Sequence, residues 1–593
     1  MVIQLLAILL MLAIAYVWSA RGFLSSLLNM AVVLTSGAIA FGSYEFMTAA
    51  LLGASEGRLL TDIAPGLGLL LPFTLSLIIL SVLVNVFVRA NVRVTPMVDW
   101  IGGAACGVVA GMVVSGIFMI GSQMIRMSPD ALEYQGAKAV NNGSVVRSGG
   151  LWLPVDRWVA GLYGYLSINS LETGRPLSVW RPHMAYEGAM NRIGPAEILM
   201  RNSLREKDVK FLGRYTVGMG SNIPLPRLVG DGKDVQMVTG ETITAPAYTQ
   251  GFVVQFEASS REKTGQTIIS PGQVTLVAMR PDGVSSAALS PVAVVSQAKG
   301  DQKNLGRWRF DSRDVYIGTP GAETRPMFFF EFVIPETYRP LALYVRGVRF
   351  DLTTDDRYTP IKSNVDFKTP EERDRLITRN RFESTILGEK ANANALVNNP
   401  KGVTGVPAGS PNSILRVANN LPFGVFLDAS FMSGLDKTEK GMAITGGKLR
   451  LPRKDLSPAG TEMNLRVDAF DPGNGTAIVQ LDISRNSPLS PVQPNNSEFV
   501  KAPALIGIDG QRFEAIGYVY RTSSDFTVSF DPAKPIRNFD DLPSVSRSIE
   551  GQDLILIFRV SVGVRIEKYA VGNTVLGEFV PPQAATQQRV RDK

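Results

Sequence analysis

One cysteine, Cys106, and one histidine, His183, stand in 593 residues. No disulfide can close within the chain, and cysteine usage does not identify the compartment. A zinc site needs several His or Cys ligands, and one of each is too few. Ser/His/Asp and Cys/His systems need a partnered histidine. His183 stands alone in VWRPHMAYEG, and Cys106 lies in an apolar run. No catalytic residue, metal or cofactor is therefore assigned. No Walker loop is present, and GMGSN (218–222) lacks the lysine. GASEG (53–57) fits G-x-S-x-G but lies between apolar runs, not on a strand–turn–helix elbow. DAFDPGNG (468–475) lacks the spacing of a calcium loop and reads as a turn. The pairs Asp355-Asp356 and Asp540-Asp541 read as solvated loop residues. The net charge of +7 is not gathered into a basic stripe with aromatics, so no nucleic-acid partner is expected.

Lysine is missing from residues 1–127 altogether; the first is Lys138. Four apolar runs near 2–20, 23–43, 66–88 and 101–125 have the roughly 20-residue length of a bilayer span. The first has no basic n-region, and a cut after Ala20 would place Trp18 where a small residue is wanted, so it is read as a span. Arg21, Arg89 and Arg93 follow spans one and three, which puts those turns in the cytoplasm and the C-terminal part outside. In the fourth run Gly103, Gly107, Gly111 and Ser115 repeat every four residues. Such a row lets a second helix approach backbone to backbone, from this chain or from a second copy. A path lined by small residues is the other use of the row. Asp99 is placed to pair with Arg93 or Arg89, or to cap. Asn29 and Asn85 are placed to hydrogen-bond between spans. No cluster of ionisable residues lies deep in the spans, as a proton-coupled pump would need.

Arg21-Gly22-Phe23 after the first span, and Asp99 followed by Gly103, Gly107 and Gly111, resemble the motifs of the CvpA family, the colicin V production proteins. Trp100 and Ala110 stand where the family often has basic residues. The resemblance covers residues 1–127. It implies four transmembrane helices in the inner (cytoplasmic) membrane and a link to toxin production or export.

Residues 128–205 form a collar. GLWLPVDRWVAGLYGYL (150–166) has Val155, Trp158, Val159, Leu162 and Leu166 on one helical face. Trp152 and Trp158 are placed at the membrane–water interface, on a helix lying on the bilayer surface or packed on the soluble part. NNGSVVRSGG (141–150) reads as a flexible turn.

From 206 onward short strands alternate with turns, which predicts all-β structure of two tandem β-sandwiches, 206–362 and 413–581. Both loosely resemble immunoglobulin-like envelope domains. A linker, 363–412, joins them, with a short helix around 369–379; 582–593 is a polar tail. LALYVRGVRF (341–350) and FRVSVGVRI (558–566) are a weak repeat signal.

The function expected is non-enzymatic: a bilayer-embedded envelope protein whose outer β domains bind a partner. The helices would assemble with a second copy or another membrane protein. The alternatives are an oligomeric path for a toxin or small solute, and a β-domain hydrolase needing neither His nor Cys.

Overall fold

The structure is a computed structural model. It describes residues 2–585 except 55–57, 89–94, 127–135, 141–143, 149–152, 195–199, 230–233, 263–266, 299–300, 311–316, 319–324, 355–357, 379–381, 388–396, 405–412, 430–433, 439–440, 457–461, 463–464, 474, 491–500, 509 and 547.

Four helices open the chain: α1 (Val2–Ser19), α2 (Phe23–Ala54), α3 (Arg58–Phe87) and α4 (Pro96–Gln123). Phe23–Ala54, Leu60–Phe87 and Pro96–Gln123 are long and apolar enough to cross a membrane; α1 is a shorter apolar helix. At 1.5 Å per residue α2 runs about 48 Å, well past a hydrocarbon core of about 30 Å. It outlasts the apolar run at 23–43 because Tyr44 and Glu45 find partners on the sheet side. α1 runs antiparallel along α4, and α2 packs against both α3 and α4. The α1–α2 turn and the start of α4 lie at one end of the bundle. The ends of α2 and α4 and the start of α3 lie at the other, against the β region.

The collar follows. Ala137–Ala139 and Val145–Arg147 pair as a hairpin, and Arg147 N–H donates to Val238 O (2.9 Å). The segment expected to be a flexible turn therefore supplies one strand of that hairpin. α5 (Val155–Ile168), α6 (Leu177–Trp180) and α7 (Glu187–Asn191) complete it. α5 packs its buried face mainly on the helices of the bundle rather than on the sheets. Val155, Val159 and Tyr163 are buried against α1, α2 and α4, and Tyr163 Oη donates to Leu34 O (3.0 Å). Gly37 and Gly116 leave the room that Tyr163 and Val159 fill. Trp158 (46 %) and Tyr165 (63 %) face outward on the other side. Trp152 lies outside the described residues.

The first β region has a six-stranded and a four-stranded sheet. Strand Met327–Pro335, at the centre of the larger, explains the layering. Its side chains alternate between faces. Phe328, Phe330 and Phe332 join Leu276, Leu343 and Val345 of the smaller sheet in one core. Phe329 faces the other way and packs with Phe382 and Ile377. Both faces are buried, so the strand reads as an almost unbroken apolar run. α8 (Leu225–Val229) closes one end of the first core. α9 (Pro370–Thr378) and α10 (Phe382–Leu387) cover the second face.

Glu331 is the polar interruption. It is fully buried on the α9 side, where it accepts from Arg307 Nε (2.7 Å), Arg373 Nη1 (3.0 Å) and Tyr215 Oη (2.8 Å). Burial pushes its carboxyl up, but Arg373 and Arg307 with these hydrogen bonds hold it down at about 2.

The second region has three sheets. Its six-stranded sheet is covered on one face by a five-stranded sheet, through Phe558, Leu556, Tyr569 and Phe579. A four-stranded sheet covers the other face, through Ile478, Ile557, Phe470 and Ile444. The segment between the regions is tied into both. Val365–Phe367 adds a parallel strand beside Tyr215–Val217, and Val397–Thr404 pairs in parallel with Thr574–Ala584. That last strand takes in the start of the stretch read as a polar tail. The two similar peptides hold different places. LALYVRGVRF is a hairpin within one sheet, whereas FRVSVGVRI turns from the six-stranded sheet into the five-stranded one. Sequence likeness there does not reflect a shared topology.

Candidate functional site

The residues singled out by sequence meet at two places. At the end of the bundle away from the sheets, the turn after α1 is pinned to α4. Asp99 accepts a hydrogen bond from Phe23 N–H (2.6 Å) and so caps α2. Gly22 adopts φ +88°, which opens the tight turn. Ser26 N–H donates to Gly22 O, and Ser26 Oγ to Trp18 O. Phe23 lies over Gly102, where a side chain would collide with its ring. Arg21, Gly22, Phe23 and Asp99 thus share one corner. Asp99 uses one carboxylate oxygen, Oδ1, on that backbone N–H, and Arg89 and Arg93 lie outside the described residues. Asn29 does not link helices as expected; its amide donates to Ser25 O (2.9 Å) in its own helix, where the i−4 carbonyl is near. Asn85 is exposed.

Above that corner the small-residue row faces α1. A Cβ at Gly103 would lie 3.1 Å from Trp18 O, at Gly107 2.7 Å from Ala15 Cα, and at Gly111 3.0 Å from Met11 Cα. Three turns of α4 therefore touch three turns of α1 with backbone atoms. Ser115 continues the row and is buried.

At the other end a charged and aromatic knot joins the bundle to the sheets. Glu45 comes from α2, Arg181 from the end of α6, Glu187 from α7, and Arg349 from strand Val348–Asp351. Arg181 Nε donates to Glu45 Oε1 (2.8 Å), and its Nη1 to Glu187 Oε2 (2.6 Å). Arg349 Nη1 closes on Glu45 Oε2. Arg346 and Gly347, both at positive φ, make the two-residue turn that brings Arg349 down to α2. The Arg181 guanidinium lies between the Tyr44 and Tyr344 rings, 5.1 and 4.7 Å from their centroids. Burial lowers its affinity for the proton, but Glu187, the two tyrosines and Glu45 hold it well above the ordinary value. Burial also raises the Tyr344 phenol, whose hydroxyl donates to Trp180 O (2.7 Å). A second tie lies beside it. Asp62 pairs with Arg126 (2.8 Å), Asn202 Nδ2 donates to Met124 O (2.6 Å), and Ser203 Oγ donates to Thr61 O.

No family model, curated protein or solved structure matches this chain.

His183 sits inside the knot, edge-on to Tyr344 with centroids 5.5 Å apart. Burial pushes its imidazole down to about 4, with Arg181 adding to the effect and Glu187 opposing it. It is neutral at pH 7, with Glu187 Oε2 4.0 Å from its Nε2. The unfolded chain takes up a proton near pH 6.5 that the folded chain refuses. Stability attributable to His183 is therefore complete above 6.5 and falls as pH drops towards 4. At pH 5 the loss is about 2 kcal/mol, from about 1.36 kcal/mol per pKa unit. The variant His183→Asn is expected to lack that loss. Melting temperatures of the two proteins at pH 7 and pH 5 measure it; equal pH dependence would refute it.

The turn at 468–475, of which residue 474 lies outside the described residues, is met by a cation of the chain itself. Arg559 Nε donates to Pro472 O (2.5 Å), so a cation of the chain already uses the turn's carbonyl. Among the described residues no group of three His, Cys, Asp or Glu is placed to hold a metal. The knot itself was not visible in the sequence. Its signals were Glu45 at the end of an apolar run and arginines beside aromatics in RPLSVWRPH and YVRGVRF.

Proposed function

We propose that the chain is a non-enzymatic, multi-pass inner-membrane protein of CvpA type that holds β-sandwich-type domains rigidly outside the bilayer for an envelope partner. All four N-terminal helices span, α1 being completed as a span by its seat on α4. The observation that carries this reading is the knot at Glu45. A membrane helix, the collar and a β-hairpin converge there through charge pairs whose arginines are buried or nearly so, so the sheets follow α2 without a hinge. A wide, well-covered β surface on a fixed base suits binding, and a link to toxin production follows from the family likeness alone.

The transport reading stands second. It would use the small-residue row as a path, but α1 backbone fills that row. A second copy or another membrane protein would then meet the bundle elsewhere, on exposed faces of α1 and α3 such as Leu9, Leu75, Ile79 and Val86.

Because Cys106 is the only cysteine, single reporters are simple to place. In a Cys106→Ser background, Asp540→Cys is expected to react with an impermeant maleimide in cells with a permeabilised outer layer. Arg21→Cys is expected to react only after inner-membrane lysis. The reverse pattern would put the β domains in the cytoplasm and overturn the orientation.

A further inference from the structure

A groove of about 510 Å³ opens beside the knot, between α2, α5 and α6. Its floor is apolar, with Ala38, Phe41, Leu166 and Leu177. Its rim carries Arg175, Arg181 and Arg349, with Glu45 among them and with Glu187 and Asp351 paired to them from just outside the lining. Arg175 and Arg349 lie against the Trp180 ring, 5.6 and 5.5 Å from its centroid. The Trp180 indole N–H is buried and has no acceptor among the described residues. Gly42 lines the groove, and a Cβ there would meet nothing within 4 Å. The space beside α2 is therefore open, unlike that beside the glycines packed on α1.

The groove's depth is set by α2. Gly42 lies about 28 Å along the helix from Phe23 at 1.5 Å per residue. A hydrocarbon core is about 30 Å thick, so the floor faces acyl chains and the rim faces headgroups. Arginines at headgroup depth attract an anionic headgroup by charge. Asp351 pairs with both Arg175 (2.6 Å) and the less exposed Arg349 (2.8 Å); the Arg175 pair, with side chains 53 % and 35 % exposed, is the one weak enough for a phosphate to displace.

We propose that this groove holds an anionic phospholipid, one acyl chain along Phe41 and Leu166 and the phosphate at Arg175 and the Trp180 N–H. The proposal rests on the helices spanning a bilayer. Detergent dependence of the purified protein reads that reading separately: a chain soluble without detergent refutes the spans, whatever lipid is counted.

The test is native mass spectrometry of the full chain released from detergent with phosphatidylglycerol or phosphatidylcholine. The wild type is expected to retain phosphatidylglycerol about tenfold better. Gly42→Phe, which fills the groove, is expected to lose the lipid at an unchanged melting temperature. Arg175→Glu, at an exposed position, is expected to bring the two lipids to near parity and keeps the test open if Gly42→Phe does not fold. Excess inorganic phosphate is expected to leave the lipid bound. Equal retention of both lipids by the wild type, retention by Gly42→Phe, or displacement by phosphate alone would each overturn the proposal.

Discussion

Gly107→Leu is expected to part α1 from α4 and to destabilise the bundle by about 3 kcal/mol, the upper end for overpacking a filled interior. The reason is positional. Even a Cβ at residue 107 would lie 2.7 Å from Ala15 Cα, and a backbone atom cannot swing aside as a side chain can. The helices must separate, and the contacts at Gly103 and Gly111 are strained with them. The series is graded. Gly107→Ala should cost less than Gly107→Leu. Gly103→Ala, whose nearest atom would be 3.1 Å away, should sit near neutral, because alanine's helix propensity offsets the tight fit by up to about 1 kcal/mol. Gly161→Ala on α5 is the control, since nothing lies within 4 Å of its Cβ. Thermal unfolding of the full chain in detergent ranks the four. A Gly107→Leu protein as stable as Gly161→Ala would mean that the row serves something other than the α1 contact.

Glu331→Leu should be as damaging, in a different part of the chain. It leaves the buried Arg373 facing Tyr215 and Arg307 with no carboxylate between them, and breaking a buried pair typically costs about 3–5 kcal/mol. α9 is the element at risk, because Arg373 is its clasp to the sheet. Proteolysis within 363–412 should rise in the variant before the rest of the domain unfolds. Glu331 also sets a pH window. Its folded carboxyl titrates at about 2 and its unfolded one at 4.5, so its stabilisation is full above 4.5 and is lost as pH falls towards 2. This lies below the His183 window, and Glu331→Leu should flatten the acid limb of the unfolding profile. An unchanged acid limb would assign that limb to other carboxylates.

What was legible in the sequence was what is periodic and local. The row at 103, 107 and 111 has helix spacing, and its partner needs only a smooth ridge, so the kind of contact was readable though not that α1 makes it. Strands such as TAIVQLD and MFFFEFVIP stand out by their β-branched and aromatic content. The third layer did not. Nothing in Met327–Pro335 says whether its outer face meets water, a second sheet or α9 and α10, and Glu331 reads as a polar exposure when it is the reverse. The knot is the extreme case. Glu45 and Arg349 lie 304 positions apart, and only the folded hairpin turn at Arg346-Gly347 brings them together. Asp99 shows the same limit: a capping role was readable, but not that the N–H it caps is that of Phe23, 76 positions away.

The parallel pairing of Val397–Thr404 with Thr574–Ala584 bears on how the chain is made. A strand at 397–404 must wait until residues from 574 onward have left the ribosome before its partner exists. Pairings so far apart in sequence form slowly, and an unmatched strand edge invites association with other chains meanwhile. The first region closes sooner, once Val365–Phe367 has emerged to lie beside Val209–Val217. Synthesis therefore delivers a seated, membrane-bound first half while the second is still open. A nascent chain stalled before residue 574 would hold a finished base and an unfinished, adhesive second region, the stage at which a chaperone has most to do.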